Sequence, residues 1–250
     1  MRLRLLHTLA RLALLGGGVA WFVGCLLLVP FGQRLASDII PTATPTPTVF
    51  VLALPRPSPT VAPTPTPLPP LVALLAGHSG GEDPGAVCPD GLREVDITTD
   101  VAAHARRILE ARGYRVDILA EFDKRLDPIK RDYAPHVFLA IHADSCVYYA
   151  SGYKVARAAN SIIPREEDRL VRCISSSYAA ASQLPFHEGS ITNDMKHYHG
   201  LMKIHPHSPG AIIELGFMGS DRAILVNQSD QLALGIANGI ERFLQGSLCP

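Results

Sequence analysis

Residues 71–94 read LVALLAGHSGGEDPGAVCPDGLRE, and the parsing of this stretch decides the fold. Leu71 to Ala76 is a short apolar run with the length and composition of a buried strand. It stops at Gly77, His78, Ser79, Gly80 and Gly81, which a strand interior does not tolerate and a tight turn does. Open α/β sheets place their chemistry at the carboxyl ends of strands, which makes His78 a candidate ligand or base. Glu94 follows just ahead of a helical pattern, where its carboxylate is able to turn back toward His78. A lone turn histidine is more often an ordinary turn residue, so this reading needs support from the rest of the chain.

Downstream, the pattern alternates. Over 96–112, Ile97, Val101, Ala105, Ile108 and Leu109 fall on one face at helical spacing, and Gly113 is a natural stop. Tyr114 to Leu119 reads as a strand, Val137 to Ile141 as a fully buried one, and Gly152 to Ala156 as a short one. A second helix is expected over about 166–182, with Leu170, Ile174, Tyr178 and Ala181 on its inner face. Ala211 to Leu215 is again a buried strand, and Leu232, Ile236, Ile240, Phe243 and Leu244 define a last helix. Strands alternating with helices imply an α/β sandwich with a largely parallel sheet.

Upstream, composition divides the chain into three parts: an anchor over 1–35, a linker over 36–70 and a folded domain over 71–250. Arg2, Arg4 and Arg11 precede twenty uncharged residues, Leu12 to Phe31. As a helix that run is about 30 Å long, the thickness of a bilayer core. The arginines favour an inside amino end, leaving the remainder on the extracytoplasmic side as a single-pass membrane protein. A cleaved leader shares the basic start, but this run is longer than a usual leader core and lacks a small-x-small site. Val23-Gly24-Cys25 faintly matches a lipoprotein box, yet apolar residues continue past it. The segment is read as an uncleaved signal-anchor. Between Pro41 and Pro70, eleven of thirty residues are proline and seven are threonine, with Arg56 the only charge. Such a segment favours extended polyproline conformation and spaces the domain from the membrane.

Lysine plus arginine equals aspartate plus glutamate at 23 each, so nothing points to a nucleic-acid partner. The five cysteines are too few and too scattered for a disulfide scaffold, and their odd number leaves at least one unpaired in a monomer. The absence of a CxxC pair argues against a cysteine-based structural zinc site.

Three buried strands carry or end in a residue able to hold a metal or a proton: His78, His142 and Glu214, with Glu94 joining from a helix start. Two imidazoles and one carboxylate are a usual ligand set for catalytic zinc, while a nearby free carboxylate takes a proton from water. Glu214 stands among Ile212, Ile213, Leu215 and Phe217, where a carboxylate is costly to bury without a partner. A structural ion pair is the bland alternative for it.

GHSGGEDPGA at 77–86, LREVD at 92–96, AIHAD at 140–144 and IIELGFMGSD at 212–221 together resemble the four motifs of the zinc-dependent N-acetylmuramoyl-L-alanine amidases. The resemblance covers 71–245 in the family's order. It implies a three-layer sandwich in which helices flank a mostly parallel mixed sheet. It also implies hydrolysis of the amide between N-acetylmuramic acid and L-alanine in bacterial peptidoglycan. Carried over by motif, one Zn2+ ion would be held by His78, Glu94 and His142, with Glu214 as the catalytic glutamate. A monomeric catalytic domain is expected. Four positions depart from the family pattern: Ser79 replaces a glycine, Asp144 an asparagine, and Ala120-Glu121 a threonine-arginine pair. These bear on substrate contacts rather than on the ligands.

His187, His197, His199, His205 and His207 fall within twenty-one residues. The bland reading is a polar loop beside a substrate groove; the sharper one is a second metal site, since each His-x-His pair aligns two imidazoles if extended. The segment between His142 and Glu214 is read as too compact for a large inhibitory helix. Two other classes stay open: a zinc carboxypeptidase-like enzyme cutting another bond of the wall peptide, and a non-catalytic membrane-tethered wall-binding module.

Overall fold

The computed structural model describes residues 67–250. The expected anchor, its helix over 12–31, Cys25 and the linker up to residue 66 lie outside the described residues. Among the described residues no helix is long and apolar enough to cross a membrane.

β1 (Leu71–Ala76) is the strand expected. α1 (Glu94–Ala111) starts two residues earlier than the periodicity alone gives. Glu94 and Asp96 fill its first turn, where carboxylates complement the positive end of the helix dipole. β2 (Arg115–Leu119) follows, then β3 (Val137–Asp144), which runs on past Ile141 so that His142 lies inside the strand rather than after it. β4 (Lys154–Ala156) is short, and α2 (Pro164–Ser182) opens on a proline whose missing N–H costs nothing there. The histidine-rich segment folds into a 3-10 turn at Glu188–Ser190 and two short helices, α3 (Asn193–Lys196) and α4 (His199–Lys203). β5 (Gly210–Phe217), α5 (Arg222–Asn227) and α6 (Ser229–Leu244) complete the chain.

The sheet order is β2-β1-β3-β5-β4. All neighbours are parallel except β4, which runs antiparallel on the edge of β5. The central strands are buried on both faces, which is why they read as unbroken apolar runs. Their alternation separates two cores. Val72, Leu74, Leu139, Ile141 and Ile213 pack under the long helices α1, α2 and α6. Ala73, Leu75, Phe138, Ala140 and Ile212 face the other way, against Met195 of α3, Leu201 of α4 and Ile204. His142 and Glu214 follow the parity of this second set, beneath the thin layer of short helices.

Four of the five cysteines are paired, and the fifth, Cys25, lies outside the described residues. Cys88 pairs with Cys146 and Cys173 with Cys249. Separations of 58 and 76 residues made these pairs look scattered, but the fold brings their Cα atoms to 5.3 and 4.9 Å.

Candidate metal centre

The parallel strands β1 and β3 present His78 and His142 at neighbouring carboxyl ends, and the first residue of α1 brings Glu94 between them. One donor atom from each of these three side chains lies within 4.8 Å of the others. Glu94 Oε1 is 3.0 Å from His142 Nδ1, and Glu94 Oε2 is 3.4 Å from His78 Nε2. Backbone amides lock the carboxylate in place: Ala143 N donates to Oε1 at 3.1 Å and Ala86 N to Oε2 at 3.0 Å. Burial pushes the Glu94 carboxyl up, but bonds from His142 and His78 outweigh it and hold it down to about 2. His78 is raised to about 9, chiefly by its contact with Glu94.

Local backbone explains why glycines surround these side chains. A Cβ on Gly77 would lie 2.4 Å from His142 Cε1, so the imidazole needs a residue without a side chain there. Gly85 has φ +72°, and a Cβ on it would meet Glu94 Oε2 at 2.5 Å and His78 Cδ2 at 2.7 Å. His78 itself adopts φ 61°, a conformation that costs a non-glycine residue about 1–3 kcal/mol. Its amide offsets this strain by donating to Glu121 Oε2 at 2.7 Å. Gly77→Ala should therefore displace the His142 ring. We expect metal affinity to fall about tenfold or more and stability by about 1–3 kcal/mol, read by chelator competition and thermal melting.

Glu214 lies directly across from His142 in the β3–β5 register and across from Lys154 in the β5–β4 register. It therefore stands between an imidazole and an ammonium, yet its Oε2 is buried with no hydrogen-bond partner. Lys154 is engaged elsewhere: it pairs with Asp144 and donates to Ser190 O at 3.2 Å. Asp144, one of the departures noted above, thus holds the cation that would otherwise make Glu214 a structural ion-pair member. Burial pushes the Glu214 carboxyl up to about 7, against the opposing pull of His142.

Three further residues meet at this centre: Glu121, read from sequence only as a departure bearing on substrate contacts, His199, read as part of a polar loop or a second metal site, and Tyr198. Glu121, just past β2, is buried and accepts from Tyr198 Oη and from His199 Nε2, each at 2.6 Å. Its Oε2 is 3.8 Å from His142 Nε2. Burial raises its carboxyl, but the bonds from His199 and Tyr198 prevail and hold it down to about 2. The signal that could have found it is the strand-end rule that found His78. Of the histidine-rich segment, only His199 and its neighbour Tyr198 reach the centre. His197 bonds to Asn193 O, while His205 and His207 line a separate hollow with His136 and Phe243.

A hollow of about 370 Å³ opens beside His78, lined by Glu82, Asp83, Glu121 and Phe122. Phe122 is 75% exposed and stacks on His199 with ring centroids 5.0 Å apart.

Comparison with known proteins gives the chain a family. Residues 72–242 match the family described as N-acetylmuramoyl-L-alanine amidase. The chain is 38% identical over 82 residues to the N-acetylmuramoyl-L-alanine amidase AmiC of Neisseria meningitidis, a match that takes in 30% of this chain and 19% of that protein. Among solved structures, the amidase Ami1 of Mycobacterium smegmatis superposes with a TM-score of 0.61 at 20% identity, over 73% of this chain and all of the other. The CwlD amidase of Clostridioides difficile gives 0.56 at 19% identity, over 71% of this chain and all of the other. At these identities the superpositions speak for the α/β fold, whereas the family match spans most of the chain and all four residues singled out above. The chain belongs to the N-acetylmuramoyl-L-alanine amidase family.

Proposed function

We propose that this protein hydrolyses the amide between the lactyl group of N-acetylmuramic acid and the L-alanine of the peptidoglycan stem, with zinc as its cofactor. The observation that carries the reading is the convergence of His78, Glu94 and His142 beside Glu214, a carboxylate whose Oε2 has no partner. The donor set fits zinc: two imidazole nitrogens and one carboxylate oxygen, all drawn together, leave room for a further ligand. Bound there, zinc would lower the pKa of a water molecule and polarise the scissile carbonyl.

The protein's own residues divide the remaining work. Glu94 has both oxygens occupied and stays anionic, so it serves as a ligand and not as a base. Glu214 has the opposite environment. Its free Oε2 and its raised pKa suit it to take a proton from the attacking water and return it to the departing L-alanine nitrogen. Asp83 Oδ2 accepts from His78 Nδ1 at 3.2 Å and orients that ring.

The same proposal places the domain outside the cytoplasm, tethered through residues 12–31 and spaced by the Pro/Thr-rich segment. Two disulfides support this, because such bonds persist in oxidising surroundings. The test is digestion of purified sacculi followed by mass analysis of the products, with metal content measured in parallel. Release of intact stem peptides bearing a free L-alanine amine is expected. Products shortened at the carboxyl end of the stem, or sacculi bound but uncut, would overturn the reading.

A further inference from the structure

We infer that Glu121 is a positioning residue of the metal centre, which holds His142 so that Nδ1, not Nε2, faces the ion. The inference rests on the proposed zinc site and deepens it.

The two histidines share one arrangement. Each turns one nitrogen toward Glu94: His78 Nε2 at 3.4 Å and His142 Nδ1 at 3.0 Å. These nitrogens face the ion together with Glu94. Each ring then has a far nitrogen, and each far nitrogen faces a carboxylate. For His78 that is Asp83, in hydrogen-bond contact at 3.2 Å. For His142 it is Glu121, at 3.8 Å.

Proton bookkeeping makes the second contact consequential. A neutral imidazole that gives its Nδ1 lone pair to a metal must carry its proton on Nε2. His142 Nε2 is buried and has no hydrogen-bond partner. Among the described residues, Glu94 and Glu121 are the carboxylates within 4 Å of the His142 ring nitrogens. Glu94 is committed to the other nitrogen, so Glu121 Oε2 is the acceptor left for the Nε2 proton. At 3.8 Å the pair is longer than a hydrogen bond; a metal on Nδ1 would put the ring proton on Nε2, and Glu121 Oε2 is the acceptor that proton would turn toward.

Glu121 cannot drift from this position. Its Oε1 is held by Tyr198 and His199, and its Oε2 by the amide of His78, the other ligand. Tyr198 also sets its ring against that of His142, with centroids 5.1 Å apart and planes 76° apart. One buried carboxylate therefore fixes the backbone of the first ligand, faces the ring of the third, and ties down the loop that covers them. An arginine at 121 carries no acceptor and would leave Nε2 without the one that Glu121 provides, so this device depends on the glutamate of this chain.

The test uses the full chain labelled with 15N-histidine and loaded with zinc. Long-range proton–nitrogen spectra should show His142 with a protonated Nε2 and a metal-bound Nδ1. Glu121→Gln, which keeps the shape and removes the carboxylate, should weaken zinc binding about tenfold to a hundredfold in chelator competition and speed exchange of the Nε2 proton. Zinc on Nε2 of His142 would overturn the inference, as would Glu121→Gln binding zinc within twofold of the unaltered chain. Should that variant fail to fold, the nitrogen assignment in the unaltered chain decides alone. A chain that takes up no zinc would overturn the proposed function as well, whereas normal zinc uptake and cleavage with the wrong nitrogen bound would overturn this inference only.

Discussion

Glu214→Gln should bind zinc as tightly as the unaltered protein and hydrolyse murein on the order of a thousandfold more slowly. The size follows from the work assigned to the side chain: a positioned base contributes about a hundredfold to ten-thousandfold, and a thousandfold is about 4 kcal/mol of barrier. The direction of every other readout follows from the surroundings of Glu214. Its Oε2 has no hydrogen-bond partner, and the nearby ammonium of Lys154 is held by Asp144. Removing the carboxylate charge therefore breaks no ion pair and relieves a buried group of its ionisation cost. The melting temperature should hold or rise slightly. Zinc content should not change, because the donors are contributed by other residues. The loss should appear in kcat with little change in KM, since a base acts on the water and the leaving nitrogen more than on substrate binding. Normal cleavage by this variant would remove Glu214 from the reaction. Parallel loss of zinc and activity would instead make it part of the metal site.

The contrast between Glu214 and Glu121 shows which parts of this site can be read from sequence. Glu214 was legible because a carboxylate in an apolar strand is anomalous by composition alone. His78 and His142 were legible because buried parallel strands are continuous apolar runs, and whatever interrupts or ends them is conspicuous. Glu94 followed from its place at the start of α1. The strands themselves were predictable for the same reason, and the differences fall at ends: β3 and β5 run further because pairing across the register, not hydropathy, terminates them. Glu121 follows an ordinary half-exposed strand, and its partners Tyr198 and His199 lie more than seventy residues away. Their meeting depends on how α4 packs across Phe138 and Leu75, a tertiary outcome with no local signature. The cysteines were illegible for the same reason. A disulfide's geometry is a property of two backbones in space, and spacing along the chain carries almost none of it.

Breaking the Cys88–Cys146 bond should cost both stability and metal affinity, and breaking the Cys173–Cys249 bond should cost stability alone. Cys88 lies in the segment between the proposed ligands His78 and Glu94, and Cys146 lies four residues beyond the proposed ligand His142. The bond therefore joins the two loops whose approach creates the donor set, including the Ala86 amide that fixes Glu94. Cys173 sits on α2 in the layer of long helices and holds the carboxyl-terminal tail, with no contact to the donors. Loop-closure entropy for either ring is about 4 kcal/mol in the chain model, and measured losses run about 2–4 kcal/mol. For a domain of this size that lowers the melting temperature by on the order of 10 °C. We expect Cys88→Ala/Cys146→Ala to show this drop together with a fall in zinc affinity of about tenfold, and Cys173→Ala/Cys249→Ala to show the drop with zinc affinity intact. Melting with and without excess zinc, plus chelator competition, separates the two effects. If both pairs melt lower and bind zinc equally well, the clasp beside the donors stabilises the fold without organising the site. If only the first pair loses zinc, the two loops reach ligand geometry because a covalent bond has already removed most of their freedom to miss it.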